Sequence, residues 1–96
     1  MRLSPTEIEL IKNAVDLITP GAKVFLFGSR TDDTKRGGDI DLLVLGEIED
    51  QFHAKGAIWT ELQNRLGEQK IDVVVAKPNT DDLFVKSIMS QAQELK

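Results

Sequence analysis

GSRTDDTKRGGDIDLLV, residues 28 to 44, runs from a glycine–serine turn through a polar loop into a short apolar strand. The strand, Asp39 to Leu45, is uncharged except for Asp39 and Asp41, which stand two residues apart at its start. Residues i and i+2 of a strand project from the same face. Two anions held that close repel, and an apolar strand gives no reason to place them there. A divalent cation does, because magnesium takes hard oxygen ligands and neutralises both charges. Upstream, Gly28 and Ser29 offer backbone N–H groups and a hydroxyl suited to a phosphate. A phosphate cradle beside a metal dyad points to metal-assisted phosphoryl or nucleotidyl transfer.

The flanking segments supply the remaining elements. Ser4, Pro5, Thr6 and Glu7 form a capping box with proline at the first helical position. Ile8, Ile11, Val15 and Ile18 then repeat at helical spacing, which predicts a helix over 5–18, stopped by Pro20 and Gly21. Residues 23–27 (KVFLF) predict a buried strand. From Asp50 or Gln51 to Leu66 the spacing is helical again, with Phe52, Trp59, Leu62 and Leu66 along one side and Gly67 as the C-terminal cap. Residues 70–76 (KIDVVVA) predict a third strand, ended by Pro78. Thr80 is expected to cap a last helix whose apolar positions are Phe84, Ile88, Ala92 and Leu95. The order is α-β-β-α-β-α. The 46–69 connection contains a helix, so strands two and three can be parallel through a right-handed crossover. The short connection between strands one and two suits an antiparallel return. The expected fold is α/β (α+β), a small mixed sheet packed with helices. Asp72 then lies on the strand beside Asp39 and Asp41, while Ile40 and Leu42 face the helical layer.

Composition narrows the function classes. Ninety-six residues are read as one domain, 1–96. The absence of cysteine excludes disulfides and zinc–thiolate sites. No signal-like or membrane-spanning run is present, which is read as a cytoplasmic protein. Net charge is −4 without a basic run, which disfavours binding a long nucleic acid through its phosphates and favours a small nucleotide or a protein substrate. Rossmann (GxGxxG) and Walker A (GxxxxGK[ST]) loops are both missing. His53, the only histidine, reads as a partly exposed residue at a helix start, and Trp59 reads as core. No Arg-x(4–6)-His ribonuclease motif can be assembled around that histidine. Asp32, Asp33, Lys35 and Arg36 read as solvated loop charges.

Residues 28–44 also resemble the signature of the DNA polymerase beta-like nucleotidyltransferases, above all their minimal, stand-alone members (MNT). That signature is Gly-Ser, a loop, Asp-x-Asp and a later third carboxylate, matched here by Gly28, Ser29, Asp39, Asp41 and Asp72. The loop from Arg30 to Gly38 holds nine residues, one fewer than the commonest form. The resemblance spans roughly residues 20 to 90. It implies catalytic, metal-holding roles for Asp39, Asp41 and Asp72 with two magnesium ions, and a nucleotide-binding role for Gly28, Ser29 and Arg30 with ATP as donor. Asp72 would ligate the ion nearer the attacking hydroxyl and help remove its proton. Lys35 and Arg36, though in the loop, stand outside the motif proper.

Two functions follow from the resemblance. In the first the chain is an enzyme that transfers a nucleotidyl group, AMP from ATP, to a hydroxyl acceptor. Minimal members pair with all-helical HEPN proteins in toxin–antitoxin modules, so the expected acceptor is a HEPN-type partner in a hetero-oligomer. The chain ends about twenty residues after its third strand, so a partner is expected to complete the site. In the second function the chain is a non-catalytic antitoxin subunit that neutralises its partner by complex formation. Turnover by the complex, compared with Asp41→Asn, separates the two.

Overall fold

The computed structural model describes residues 3–28, 39–67 and 69–96. The readings made of Ser29, Arg30, Asp32, Asp33, Lys35 and Arg36 fall outside those residues. The described elements are α1 (Pro5–Ile18), β1 (Lys23–Phe27), β2 (Ile40–Leu45), α2 (Gln51–Leu66), β3 (Ile71–Ala76), α3 (Leu83–Met89) and β4 (Gln93–Glu94).

Helix α1 starts where the capping box predicts. The Ser4 hydroxyl accepts from the Glu7 N–H at 3.1 Å, and the Glu7 carboxylate accepts from the Ser4 N–H at 2.9 Å. Ile11, Ala14 and Val15 are its buried residues. In α2 the Asp50 carboxylate caps the His53 N–H at 3.0 Å, and His53 itself is exposed, close to its sequence reading. The buried residues of α2 are Ala54, Ile58 and Leu62, with Leu66 packed against the same core, so of the expected side Leu62 and Leu66 face inward and Phe52 and Trp59 do not. Phe52 is 90% exposed and Trp59 46% exposed, with the Trp59 indole N–H donating to the Ile71 carbonyl at 3.1 Å.

The sheet has strand order β3-β2-β1-β4, with β1 antiparallel to β2 and β2 parallel to β3. Ile40, Leu42 and Val44 of β2 pack with Val24, Leu26, Ile71 and Val73 against α1 and α2. On the opposite face, Phe25, Leu43, Leu45 and Ala76 pack against Val85 and Ile88 of α3. Alternation along β2 thus feeds two separate cores, each branched aliphatic residue contributing roughly 1.5–3 kcal/mol on burial.

The C-terminal segment departs from the expected long helix. Asp82, not Thr80, caps α3, accepting from the Phe84 N–H at 2.8 Å, while Thr80 accepts from the Asp82 N–H. The helix ends at Met89, and Gln93 and Glu94 form a strand antiparallel to Leu26 and Phe25. Leu95 and Lys96 both donate to the Val24 carbonyl, and Val24 donates to Lys96. The outer edge of β1 would otherwise leave these backbone groups without a strand partner, and pairing them outweighs one more helical turn. Of the expected stripe only Ile88 is a buried helix position: Phe84 is 59% exposed, and Ala92 and Leu95 lie beyond the helix, packed against different cores. Among the described residues no helix is long and apolar enough to cross a membrane.

Candidate active site

Strand pairing builds the site. In the β2–β3 register Asp41 lies directly beside Asp72, and Ile40 beside Ile71, so Asp41 and Asp72 share one face of the sheet. Asp39 precedes β2 by one residue. One carboxylate oxygen from each of Asp39, Asp41 and Asp72 lies within 4.8 Å of the others. The three sit where β2 and β3 begin, on the face that α3 covers further along. The convergence expected from the sequence is therefore present in all three residues.

Like charges side by side on neighbouring strands destabilise a sheet. The strain is concentrated at Asp41, whose carboxyl is held above its ordinary value. Burial is the largest cause, followed by the charges of Asp72 and Asp39 and a hydrogen bond with Asp72, while Lys70 works in the opposite direction. The Lys70 ammonium lies 3.6 Å from Asp39, but its side chain is 79% exposed, so the pair offsets little of the repulsion. Lys70 was not singled out in the sequence. The signal was the register, since a lysine one residue before β3 must fall beside an aspartate one residue before β2.

Gly28 closes the other side. Its φ is +78°, in the left-handed region that favours glycine, and a Cβ there would lie 2.2 Å from Asp41 Oδ2 and 3.1 Å from its Cγ. Backbone and carboxylate thus approach to a distance that any side chain would prevent. Of the expected nucleotide-binding residues, Gly28 is placed against the carboxylate cluster, and Ser29 and Arg30 lie outside the described residues. Three hard oxygen donors in close range fit a divalent cation of the magnesium class.

The fold is shared with known proteins. The family model described as polymerase beta nucleotidyltransferase matches residues 7–96. Comparison with curated proteins gives no significant match. Among solved structures, a Shewanella oneidensis complex of tri-AMPylated HEPN toxin with MNT antitoxin aligns at 20% identity and TM-score 0.70, over 94% of this chain and 69% of that one. A toxin–antitoxin structure with AMP-PNP aligns at 22% identity and TM-score 0.74, over 93% and 72%. An MntA–HpeT complex carrying a double aspartate-to-glutamate mutant aligns at 19% identity and TM-score 0.74, over 93% and 71%. At these identities the likeness establishes the fold.

Proposed function

The chain belongs to the polymerase beta nucleotidyltransferase family, and we propose that within it this protein transfers AMP from ATP to a hydroxyl of a helical, HEPN-type protein partner. The observation that carries the reading is the convergence of Asp39, Asp41 and Asp72 from adjacent parallel strands. The similar structures support the choice of partner and nucleotide, since one contains an AMPylated HEPN toxin and another an ATP analogue. The protein would act as the antitoxin of such a pair, in the cytoplasm, as a single catalytic domain.

Asp39, Asp41 and Asp72 would together hold two magnesium ions. When bound, these ions supply charge neutralisation for the carboxylates and the triphosphate. Gly28 and Ser29 would hold the distal phosphates, and Arg30 would offset charge on the departing pyrophosphate. The acceptor oxygen forms a bond to the α-phosphorus in line with the bond that breaks, and pyrophosphate leaves with that electron pair. The acceptor proton passes to Asp72 and then to solvent.

The test is intact-mass analysis of the purified complex after incubation with magnesium and ATP. An AMP adduct on the partner, absent with Asp41→Asn, is expected. A partner left unmodified, yet equally inhibited by both forms, would instead make this chain a binding subunit.

A further inference from the structure

Among the described residues β3 is an edge strand, because the sheet order places β2 on one side of it and no strand on the other. Its ladder can be read from both ends. Ile40 donates to the Lys70 carbonyl and Gly46 to the Ala76 carbonyl, so residues of even number turn their backbone groups towards β2. In a parallel ladder the alternate residues, Ile71, Val73 and Val75, then turn theirs towards the open edge. The Trp59 indole caps the Ile71 carbonyl, which confirms the parity. It is the one side chain, among the described residues, that hydrogen-bonds to these outward groups. Beside this edge lies a groove of about 350 Å³, lined by Phe52, Lys55, Gly56 and Trp59 together with residues 71–73. It therefore runs up to Asp72, a member of the carboxylate cluster.

We propose that the open edge of β3 receives an extended segment of the acceptor protein as an added strand, and that this pairing delivers the acceptor hydroxyl to Asp72. The proposal rests on the transfer reading above and specifies how the acceptor is held. In an antiparallel addition, Asp72 falls at a non-hydrogen-bonded position, because its own backbone groups face β2. Opposed residues at such positions come within about 4.5 Å between Cα atoms, with side chains on the same face. A hydroxyl residue across from Asp72 would thus stand on the face that carries all three carboxylates. Outward backbone groups of Val73 and Val75 supply sequence-independent affinity, and the Phe52–Trp59 groove takes a flanking side chain. Exposed Lys55, Lys70 and Lys77 surround the edge, which favours a segment with acidic residues beside its hydroxyl. The same lysines disfavour a second copy of this chain, since pairing β3 with itself would gather them against their counterparts.

The experiment separates the partner from the complex recovered from its native cells on a tagged chain, recombines it with the parent or variant chain, and follows transfer of AMP against partner concentration. Val75→Pro removes an outward N–H that the ladder does not use, a change that edge strands tolerate. Phe52→Ala removes a groove side chain that is 90% exposed, so folding does not depend on it. Val75→Pro is expected to raise the acceptor KM about tenfold, the loss of one or two backbone hydrogen bonds. Phe52→Ala should raise it several-fold. In both, ATP affinity and the magnesium-induced rise in Tm should match the parent protein. If Val75→Pro does not fold, Phe52→Ala decides alone. An unchanged KM would overturn the edge-pairing while leaving the transfer reading intact. Weaker ATP binding would overturn it too, by assigning the groove to the base. A parent protein that dimerises through β3, losing the dimer on Val75→Pro, would overturn it in favour of self-association. No transfer by the parent complex would overturn both readings.

Discussion

Replacing Asp41 by asparagine should stabilise the metal-free protein and destabilise it, relative to the parent, once magnesium is added. The carboxylate oxygens of the cluster lie within 4.8 Å of one another. At that separation each pair of like charges repels by about 1 kcal/mol in water and about 3.5 kcal/mol at an effective dielectric constant near 20. Asp41 faces two such neighbours and is only half-buried, and Lys70 screens part of the field, so the lower figure is appropriate. A net gain of about 1–2 kcal/mol is expected for the metal-free variant, with each kcal/mol worth about 4–8 °C in Tm for a domain of this size. The gain should depend on pH. A carboxyl whose folded-state pKa is raised, as that of Asp41 is, costs stability above that pKa, and the cost vanishes below its unfolded value of about 3.9. The advantage of asparagine should therefore be full at neutral pH and fade as pH falls through the interval between the two values. With magnesium at about 100 times its Kd, the parent gains about 2.7 kcal/mol by linkage and the variant far less, so the order of stability inverts. Thermal unfolding in chelator and in saturating magnesium, at neutral pH and near pH 4, measures all of this. A variant less stable than the parent in chelator would refute the reasoning, because the carboxylate would then be structural.

Gly28→Ala should lose stability even without metal, by about 1–2 kcal/mol for the left-handed backbone, and its methyl must also displace the Asp41 carboxylate. Its magnesium-induced shift in Tm should therefore shrink, and an undiminished shift would separate Gly28 from the site. Ser29→Ala should weaken triphosphate binding more than monophosphate binding, by about 0.5–3 kcal/mol. Calorimetry giving equal losses for the two would move that residue away from the distal phosphates. Magnesium affinity of the parent should decline on acidification from a higher pH than an unperturbed aspartate would give, since the raised Asp41 must lose its proton to bind. Titration calorimetry in buffers of different ionisation enthalpy should also report proton release near that pH.

The site was more legible in the sequence than the C-terminal part of the fold. Asp39, Asp41 and Asp72 break otherwise apolar strands, and a charge in such a strand is visible without knowing the fold. Antiparallel and parallel pairings followed from connection lengths, and both are present. The strand after α3 was not legible, because Ala92 and Leu95 continue a helical spacing from Phe84 and Ile88. What decides against the helix is the unpaired edge of β1, a demand made by another part of the chain. Phe52 and Trp59 misled for a related reason. Hydrophobicity identifies which residues gain from burial, but the choice between adjacent stripes of a helix rests on how closely its backbone approaches the sheet.

That β2 carries both core and chemistry has a consequence for how the site is held. Ile40, Leu42 and Val44 are buried on the α1–α2 face and Leu43 and Leu45 on the α3 face, so a register slip of one residue would exchange the two sets and turn Asp41 into the α1–α2 core. The cost of repacking both cores and burying a carboxylate in one of them exceeds the few kcal/mol of electrostatic repulsion that the native register accepts. Hydrophobic burial on the α1–α2 face therefore fixes the carboxylates on the other, against their own repulsion and before any cation arrives. A site assembled this way needs no partner to bring its three carboxylates together. The partner's proposed contribution lies at the edge of β3, where, among the described residues, the backbone of Val73 and Val75 has no strand partner and Asp72 is within reach.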